Sequence, residues 1–237
     1  MTQPTLILVP GLMCDHSSWG PVAPTLSAHM PCQVVSHGDA DSLVAMAQQI
    51  LATAPPQFHI AGHSMGGRVA LEVMRLAPER VLRLALLGTG YQAKEAGAAG
   101  ETEVQKRQAL LDIAQQQGVR AMAQTWVQNM VAPSRLSDAV LIENIVQMFE
   151  RKSEDIFKRQ IKALLERLDA SGVLTQVQVP TLVMAGEFDG WASPQQHQEI
   201  ADLLPARPRV DVVAGAGHMM MMEQPEAVTA SFLKWLD

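Results

Sequence analysis

Hydrophobic residues along the chain fall into short apolar runs that alternate with longer stretches of helical spacing. Apolar runs that end near glycine, proline or serine predict strands at residues 5–9, 33–36, 58–61, 81–87, 179–185 and 209–213. Apolar residues at three- and four-residue spacing predict helices at 41–53, 65–76, 193–204 and 224–236. Near-continuous apolar strands alternating with helices are typical of an α/β domain, in which helices cover both faces of a parallel sheet.

The stretch between the fourth and fifth predicted strands, residues 91–172, has only helical spacing. It predicts helices at 101–117, 119–131, 137–151 and 153–170, with residues 97–100 as a loose connection before them. Ligands bind at the carboxyl edge of parallel strands, so an insertion here would cover that edge. We therefore predict a core of residues 1–90 and 173–237 and a helical lid of residues 91–172.

Composition narrows the class of protein. The chain has 237 residues, 48% of them hydrophobic, which suffices for one well-packed domain. A net charge of −6 without a run of basic residues argues against a nucleic-acid partner. The apolar start of the chain stops at Pro10 and lacks a basic flank, which favours a cytoplasmic protein without a membrane anchor. Two cysteines are too few for a disulfide framework and are expected to be free thiols.

The most specific motif is Gly62-His63-Ser64-Met65-Gly66, which lies between a predicted strand and a predicted helix. A G-x-S-x-G sequence at such a turn exposes the serine hydroxyl at the top of the sheet, and the glycines let strand and helix approach closely. The helix N-terminus favours the negative charge that develops when the serine attacks a substrate. The alternative is an ordinary tight turn whose serine only caps the helix.

Residues 62–68, GHSMGGR, resemble the nucleophile elbow of the α/β-hydrolase fold, especially its compact serine esterases with a lid. This resemblance implies a mainly parallel sheet of about six strands flanked by helices, with the lid inserted after the fourth strand. It also implies a Ser-acid-His triad that needs no metal or organic cofactor. The serine separates the chain from the dehalogenases and epoxide hydrolases of the same fold, which carry aspartate at the elbow.

The same resemblance assigns the other members of the triad. Asp189 follows the predicted strand 179–185 in the loop GEFDG and would orient the base, with Glu187 as its rival. His218 follows the last predicted strand in a glycine-rich loop and would transfer the proton. The chain has seven histidines in all. Four of the others are expected at the surface, namely His16, His29, His37 and His197, whereas His59 lies in a strand and His63 in the turn.

The oxyanion hole is predicted from backbone N–H groups of Leu12 and Met65. The loop that carries Leu12 begins with Pro10, where many relatives have histidine, but a backbone donor does not need that side chain. A methionine-rich apolar pocket is expected from residues that either line it or pack in the core, namely Met13, Trp126, Met130 and Met219. No basic cluster suited to a phosphate is apparent, and Arg68 is expected to be structural.

These features predict a serine hydrolase that cleaves small carboxylic esters through an acyl-enzyme. The fold hosts many reactions, so other triad chemistry stays open: a lactonase, a thioesterase, a carbon–carbon bond hydrolase or a lyase with the Ser-x-Gly-Gly-Arg elbow. A ligand receptor or signalling protein on the same fold is a further alternative. The partner is expected to be a small-molecule ester, and the sequence leaves the oligomeric state open.

Overall fold

A computed structural model describes residues 3–237 of the chain. Within that range the strands are β1 (Thr5–Val9), β2 (Cys32–Val34), β3 (Phe58–His63), β4 (Val81–Leu87), β5 (Thr181–Gly186) and β6 (Val210–Val213). They form one 6-stranded sheet in the order β2-β1-β3-β4-β5-β6, and every neighbouring pair is parallel. The predicted α/β architecture with a parallel sheet of about six strands is confirmed.

The helices follow most of the predicted positions. They are α1 (Ala23–Ser27), α2 (Leu43–Thr53), α3 (Met65–Leu76), α4 (Gly97–Gln117), α5 (Val119–Trp126), α6 (Ala139–Glu150), α7 (Glu154–Leu165), α8 (Ser171–Leu174), α9 (Pro194–Leu203), α10 (Met220–Glu223) and α11 (Pro225–Leu236). Ser193 caps α9 in a capping box with Gln196, which sets the start of this helix. The short helix α1 was not predicted, and Pro24 in its first turn suits a helix start.

Alternate residues of each strand enter two separate apolar layers, because successive side chains of a strand point to opposite faces. Along β1, Ile7 and Val9 join the layer that includes α2, α3 and α9. Leu6 and Leu8 join the other layer, which α1 and α11 cover. Both faces of the sheet are therefore buried, which explains why its strands read as continuous apolar runs rather than as alternating patterns.

Residues 91–172, here called the helical segment, carry α4 to α7 and the start of α8 between β4 and β5. The predicted loose connection at 97–100 is wrong, because α4 already begins at Gly97. Gly100 has no Cβ that would collide with the Glu95 carbonyl, so the glycine permits this close packing inside a helix. The predicted helix 119–131 ends as an α-helix at Trp126 and continues as a 3₁₀ turn over Val127–Asn129.

The order in which the strands are added to the sheet reverses between β1 and β3. The chain moves from β1 outward to β2 and then returns to the other side of β1 at β3. In open α/β sheets, ligands bind outside the carboxyl ends of the strands at this point. Ser64 follows β3 directly, and the loop with Leu12 follows β1. Of the helices in the described part of the chain, none is both long enough and apolar enough to cross a membrane.

Candidate active site

Ser64 occupies a strained turn between β3 and α3. Its backbone angles are φ 55° and ψ −120°, a region that non-glycine residues rarely adopt. The turn is tight because a Cβ at Gly62 would collide with the Gly66 carbonyl, and one at Gly66 would collide with the Val9 carbonyl. The N–H of Ser64 donates to the Leu87 carbonyl at 2.9 Å. The elbow is therefore fixed by backbone contacts on both sides.

Three side chains that the sequence singled out are joined by hydrogen bonds. The Nε2 atom of His218 lies 2.9 Å from Oγ of Ser64. On the other side of the ring, Nδ1 of His218 lies 2.7 Å from Oδ2 of Asp189. Because an ionised carboxylate only accepts, Nδ1 carries the proton and Nε2 is free to accept the proton of the serine hydroxyl. This arrangement can activate a hydroxyl nucleophile.

Asp189 is held in place and kept ionised by its surroundings. Its Oδ1 atom accepts the backbone N–H groups of Trp191 and Ala192, both at 2.9 Å. Burial opposes ionisation, but the neighbouring His218 and these two N–H donors outweigh it and hold the pKa of Asp189 below its ordinary value of 3.8. The rival Glu187 is exposed and accepts the Gly215 N–H at 2.8 Å instead. The structure thus brings Asp189, and not Glu187, to the histidine.

The loop that carries His218 is anchored from two directions. The N–H of His218 donates to the Met130 carbonyl at 2.8 Å, which ties the loop to the helical segment. The His218 carbonyl accepts from Nε2 of His63 at 2.8 Å, so His63 carries its proton there. Burial, together with the nearby His218, lowers the pKa of His63 to about 3 and keeps this ring neutral. His63 therefore orients the loop rather than adding a charge to it.

Glu223 links the same loop to the helical segment. Its buried carboxylate accepts the N–H of Ala132 at 2.7 Å and the N–H of Gly217, which precedes His218, at 3.0 Å. Burial raises the pKa of Glu223 above its ordinary value of 4.5. Sequence reasoning missed this residue, because a glutamate after four methionines reads as the polar start of the next helix.

The two predicted oxyanion donors face the same cavity as Ser64. Leu12 and Met65 both line it, and within the described chain neither backbone N–H donates to another protein group. The adjoining N–H of Met13 is bound by Oε1 of the buried Gln160 at 2.8 Å. Across the loop, Nε2 of His37 donates to the Pro10 carbonyl at 2.8 Å. The loop is clamped on two sides, which leaves the Leu12 donor free for a ligand.

The cavity has a volume of about 750 Å³ and is bounded by the core and by the helical segment. Trp126 and Met130 line it, as expected from the sequence. Met13 and Met219 do not, because both side chains are fully buried in the apolar core. Trp191 is an unpredicted part of the wall, with its ring 5.0 Å from that of His218 and 5.6 Å from that of Trp126.

The lining corrects the expectation that the chain has no basic cluster. Basic side chains that are scattered in sequence converge on the cavity, so a basic cluster is present after all: Arg68, Lys106, Arg107 and Arg167.

Two histidines that were expected at the surface, His37 and His197, are buried. Burial lowers the pKa of His37 to about 4 and also lowers the pKa of His197. Both rings form hydrogen bonds with the backbone: Nε2 of His37 donates to the Pro10 carbonyl, and Nε2 of His197 accepts the Thr89 N–H at 3.1 Å.

Comparisons with known proteins agree with this architecture. A model of the alpha/beta hydrolase family matches residues 6–231. The chain is 28% identical over 234 residues to the pimeloyl-[acyl-carrier protein] methyl ester esterase of Klebsiella pneumoniae, an alignment that covers 94% of this chain and 89% of that protein.

Two solved structures share the fold over nearly the whole chain. An esterase from Thermogutta terrifontis superposes with a TM-score of 0.85 at 24% identity, covering 99% of this chain and 90% of that one. The enol-lactonase from Burkholderia xenovorans LB400 superposes with a TM-score of 0.84 at 20% identity, covering 100% and 92%. Since the family model spans almost all of the sequence, the chain belongs to the alpha/beta hydrolase family.

Proposed function

We propose that the protein is a serine hydrolase that cleaves small carboxylic esters through an acyl-enzyme formed on Ser64. The observation that carries this proposal is the continuous hydrogen-bonded path from Ser64 through His218 to the buried Asp189. Ester hydrolysis is the favoured reaction because the Klebsiella pneumoniae relative, which aligns over most of both chains, is a methyl ester esterase.

In the first half of the reaction, Nε2 of His218 accepts the hydroxyl proton of Ser64 while Oγ attacks the carbonyl carbon of the ester. Asp189 stays ionised and stabilises the imidazolium that forms, which its lowered pKa favours. The tetrahedral intermediate then collapses. His218 returns the proton to the leaving alcohol, and the acyl group remains bonded to Ser64.

Stabilisation of the oxyanion is assigned to the backbone N–H groups of Leu12 and Met65. Both residues line the cavity beside Ser64, and neither N–H has a competing protein acceptor within residues 3–237. Met65 is the first residue of α3, where the helix dipole adds a favourable field for a negative charge. Preorganised donors of this kind typically contribute a factor of about 10²–10³ each to the rate.

In the second half, water replaces the alcohol in the cavity. His218 removes a proton from this water, the resulting hydroxide attacks the acyl carbon, and the same oxyanion donors stabilise the second intermediate. Collapse breaks the bond to Ser64, which regains its proton from His218 as the acid leaves. The cycle consumes one water and releases one alcohol and one acid, with no cofactor required.

The helical segment, residues 91–172, is proposed as a lid over a core made of residues 1–90 and 173–237. Trp126 and Met130 from this segment line the cavity opposite Ser64 and give it an apolar wall. The contact between the Met130 carbonyl and the N–H of His218 ties the lid to the base. Such a cover excludes water from the reacting ester until the alcohol has left.

The test is a panel of p-nitrophenyl esters from acetate to laurate, assayed with the wild type and with the variants Ser64→Ala and His218→Ala. Each variant is expected to lower kcat by roughly 10⁴–10⁶-fold, since members of a triad act as a unit. Ser137→Ala and His29→Ala are matched controls at exposed positions and should keep wild-type activity.

Full activity in Ser64→Ala would remove the proposed nucleophile. A wild type that reacts covalently with a fluorophosphonate at Ser64, yet turns over none of the esters, would instead retain the nucleophile and refute the ester substrate. Lactones and thioesters would then be assayed with the same variants.

A further inference from the structure

The cavity beside Ser64 has more basic than acidic side chains in its lining, unlike the chain as a whole. Its lining includes four basic side chains but two carboxylates, although the net charge of the whole chain is −6. Arg68 comes from α3, Lys106 and Arg107 from α4, and Arg167 from the chain just after α7. Of the two acidic residues, Glu95 is exposed, so solvent screens its charge.

Glu103 cannot neutralise the three arginines, because two of them already share it. Arg167 forms a two-pronged pair with it, from Nη1 at 2.7 Å and from Nη2 at 2.8 Å. Arg107 donates to the same carboxylate from Nη2 at 2.8 Å. The Gln92 carbonyl then accepts from both Nε of Arg167 at 3.1 Å and Nη1 of Arg68 at 2.8 Å. The three guanidinium groups are therefore assembled around one carboxylate and one carbonyl.

Arg68 is the member of the cluster left without a counter-ion. Within the described chain no carboxylate lies in ion-pair range of it, and the Gln92 carbonyl is its hydrogen-bond partner. Burial and the positive charge of Arg167 lower the pKa of Arg68 to about 9, which still leaves it charged at neutral pH. A guanidinium has five N–H donors, and its planar fork matches the oxygens of a carboxylate or phosphate.

Arg68 is also close to the reacting serine. It follows Ser64 by one turn of α3, a rise of about 6 Å along the helix axis, and both residues line the cavity. Gly90 makes room for its side chain, because a Cβ at that position would press against Nη2 of Arg68. The unpaired charge thus lies within reach of a substrate bound at the oxyanion donors.

We propose that Arg68, Arg107 and Arg167 form an anion subsite of the cavity, so that the ester cleaved at Ser64 carries a carboxylate or phosphate group away from the scissile bond. The inference rests on the function proposed above and specifies its substrate class. A bound anion would accept from the free donors of Arg68 and supply the missing negative charge. Pairs of this kind are among the strongest hydrogen bonds in proteins.

The experiment compares methyl esters that differ at the far end of the acyl chain. Monomethyl adipate is paired with methyl adipamate, in which a neutral amide of the same size replaces the carboxylate, and with the corresponding methyl ester that ends in a phosphate. The wild type is expected to favour at least one anionic ester over the amide by roughly 10–100-fold in kcat/KM. Whichever anion is favoured identifies the ligand as carboxylate or phosphate. Equal kcat/KM for all three esters would overturn the proposal.

Arg68→Met should reduce this preference by about tenfold or more, whereas a purely structural arginine would lower kcat/KM for all esters equally and leave the preference unchanged. Arg68→Lys keeps the charge but not the planar fork, so it is expected to reduce the preference by less. This milder variant serves if Arg68→Met fails to fold. Arg120→Gln is the matched control, since Arg120 pairs with Glu143 and Glu150 outside the cavity.

A calorimetric titration separates this proposal from the proposed function. Adipate and an alkyl phosphate are titrated into Ser64→Ala, which retains the cavity but lacks the nucleophile. Binding of either anion that weakens about tenfold in the double variant with Arg68→Met supports the subsite, even if no ester is turned over by the wild type. Absence of binding at millimolar anion, or binding that Arg68→Met leaves unchanged, refutes it.

Discussion

The two walls of the cavity are built in different ways. On the core side, the candidate groups are positioned by backbone geometry: Ser64 has its strained turn, and the predicted oxyanion donors are main-chain N–H groups. On the side of the helical segment, long charged side chains such as Arg107 and Arg167 meet through Glu103. The comparison indicates that the arrangement around Ser64 is fixed by the local chain, whereas the arginine cluster is assembled from distant residues by tertiary packing.

The two walls are nevertheless coupled at three points. Oε1 of Gln160, in the helical segment, accepts the N–H of Met13 in the loop that carries Leu12. The Met130 carbonyl accepts the N–H of His218. Glu223 joins Ala132 to Gly217. The helical segment therefore supports the geometry of the core wall, besides providing the opposite surface of the cavity.

The largest effect in the comparison is expected from the core wall, at Asp189. In Asp189→Asn the amide no longer requires a proton on Nδ1 of His218, so the ring can adopt the tautomer that cannot accept the proton of Ser64. We expect kcat for p-nitrophenyl acetate to fall by roughly 10³–10⁴-fold, with a smaller change in KM. Steady-state kinetics with folding checked by circular dichroism measure this.

Glu187→Gln is the matched control, because Glu187 follows the same strand but is exposed and bound to Gly215. It should leave kcat within about twofold of the wild type, since the carboxylate bound to His218 is that of Asp189 and not that of Glu187. A large loss in Glu187→Gln together with an active Asp189→Asn would reverse the assignment of the acid.

The difference between the two cavity walls also explains which features could be predicted from the sequence. The bounds of β1, α3 and β4 are those of the prediction, because each is a strong apolar pattern with clear breaks at its ends. Ser64, Asp189 and His218 were singled out from a local motif and from the family resemblance that it carries, and the structure joins the three by hydrogen bonds. The convergence of Arg68, Arg107 and Arg167 was missed, because these charges are far apart in sequence and meet only where α4 packs against α7 and the Gln92 carbonyl joins Arg68 to Arg167.

The burial of two histidines could not be predicted from local sequence either. His37 and His197 were expected at the surface because polar residues usually lie there. Both are buried, where each ring has a hydrogen bond to backbone near the site: His37 to Pro10 and His197 to Thr89. A buried polar group needs such a partner, and the partner is set by tertiary structure that no local pattern in the sequence reports.

An intermediate effect is expected at Gln160, where the helical segment reaches the core wall. Gln160→Leu removes the acceptor for the Met13 N–H and leaves that buried donor without a partner, so the loop that carries Leu12 loses a constraint. We expect kcat to fall by about 10–100-fold with little change in KM, less than full loss of an oxyanion donor. Kinetics over the ester panel give both constants.

Gln160→Glu retains an acceptor oxygen and should recover most of kcat, which a role in packing alone does not predict. Gln147→Ala, at an exposed position of α6, is the control for substitutions in the helical segment and should leave kcat unchanged. Equal kcat in Gln160→Leu and the wild type would show that the two walls act independently.

The smallest effect is expected at Glu223, which joins the walls through a buried carboxylate. Burial raises its pKa in the folded protein, so the folded state favours the protonated form. That contribution to stability is fully present below the unfolded value of about 4.5 and is lost as pH rises through the folded pKa.

The variant Glu223→Gln cannot ionise, so its stability does not fall with pH in this way. Its free energy of unfolding, measured in urea, should therefore increase relative to that of the wild type between acidic and mildly alkaline pH. Glu226→Gln, exposed on α11, should show no such trend. An identical pH dependence in the wild type and Glu223→Gln would mean that the two backbone donors fully compensate for burial, and that the junction between the walls is already satisfied as an ionised carboxylate.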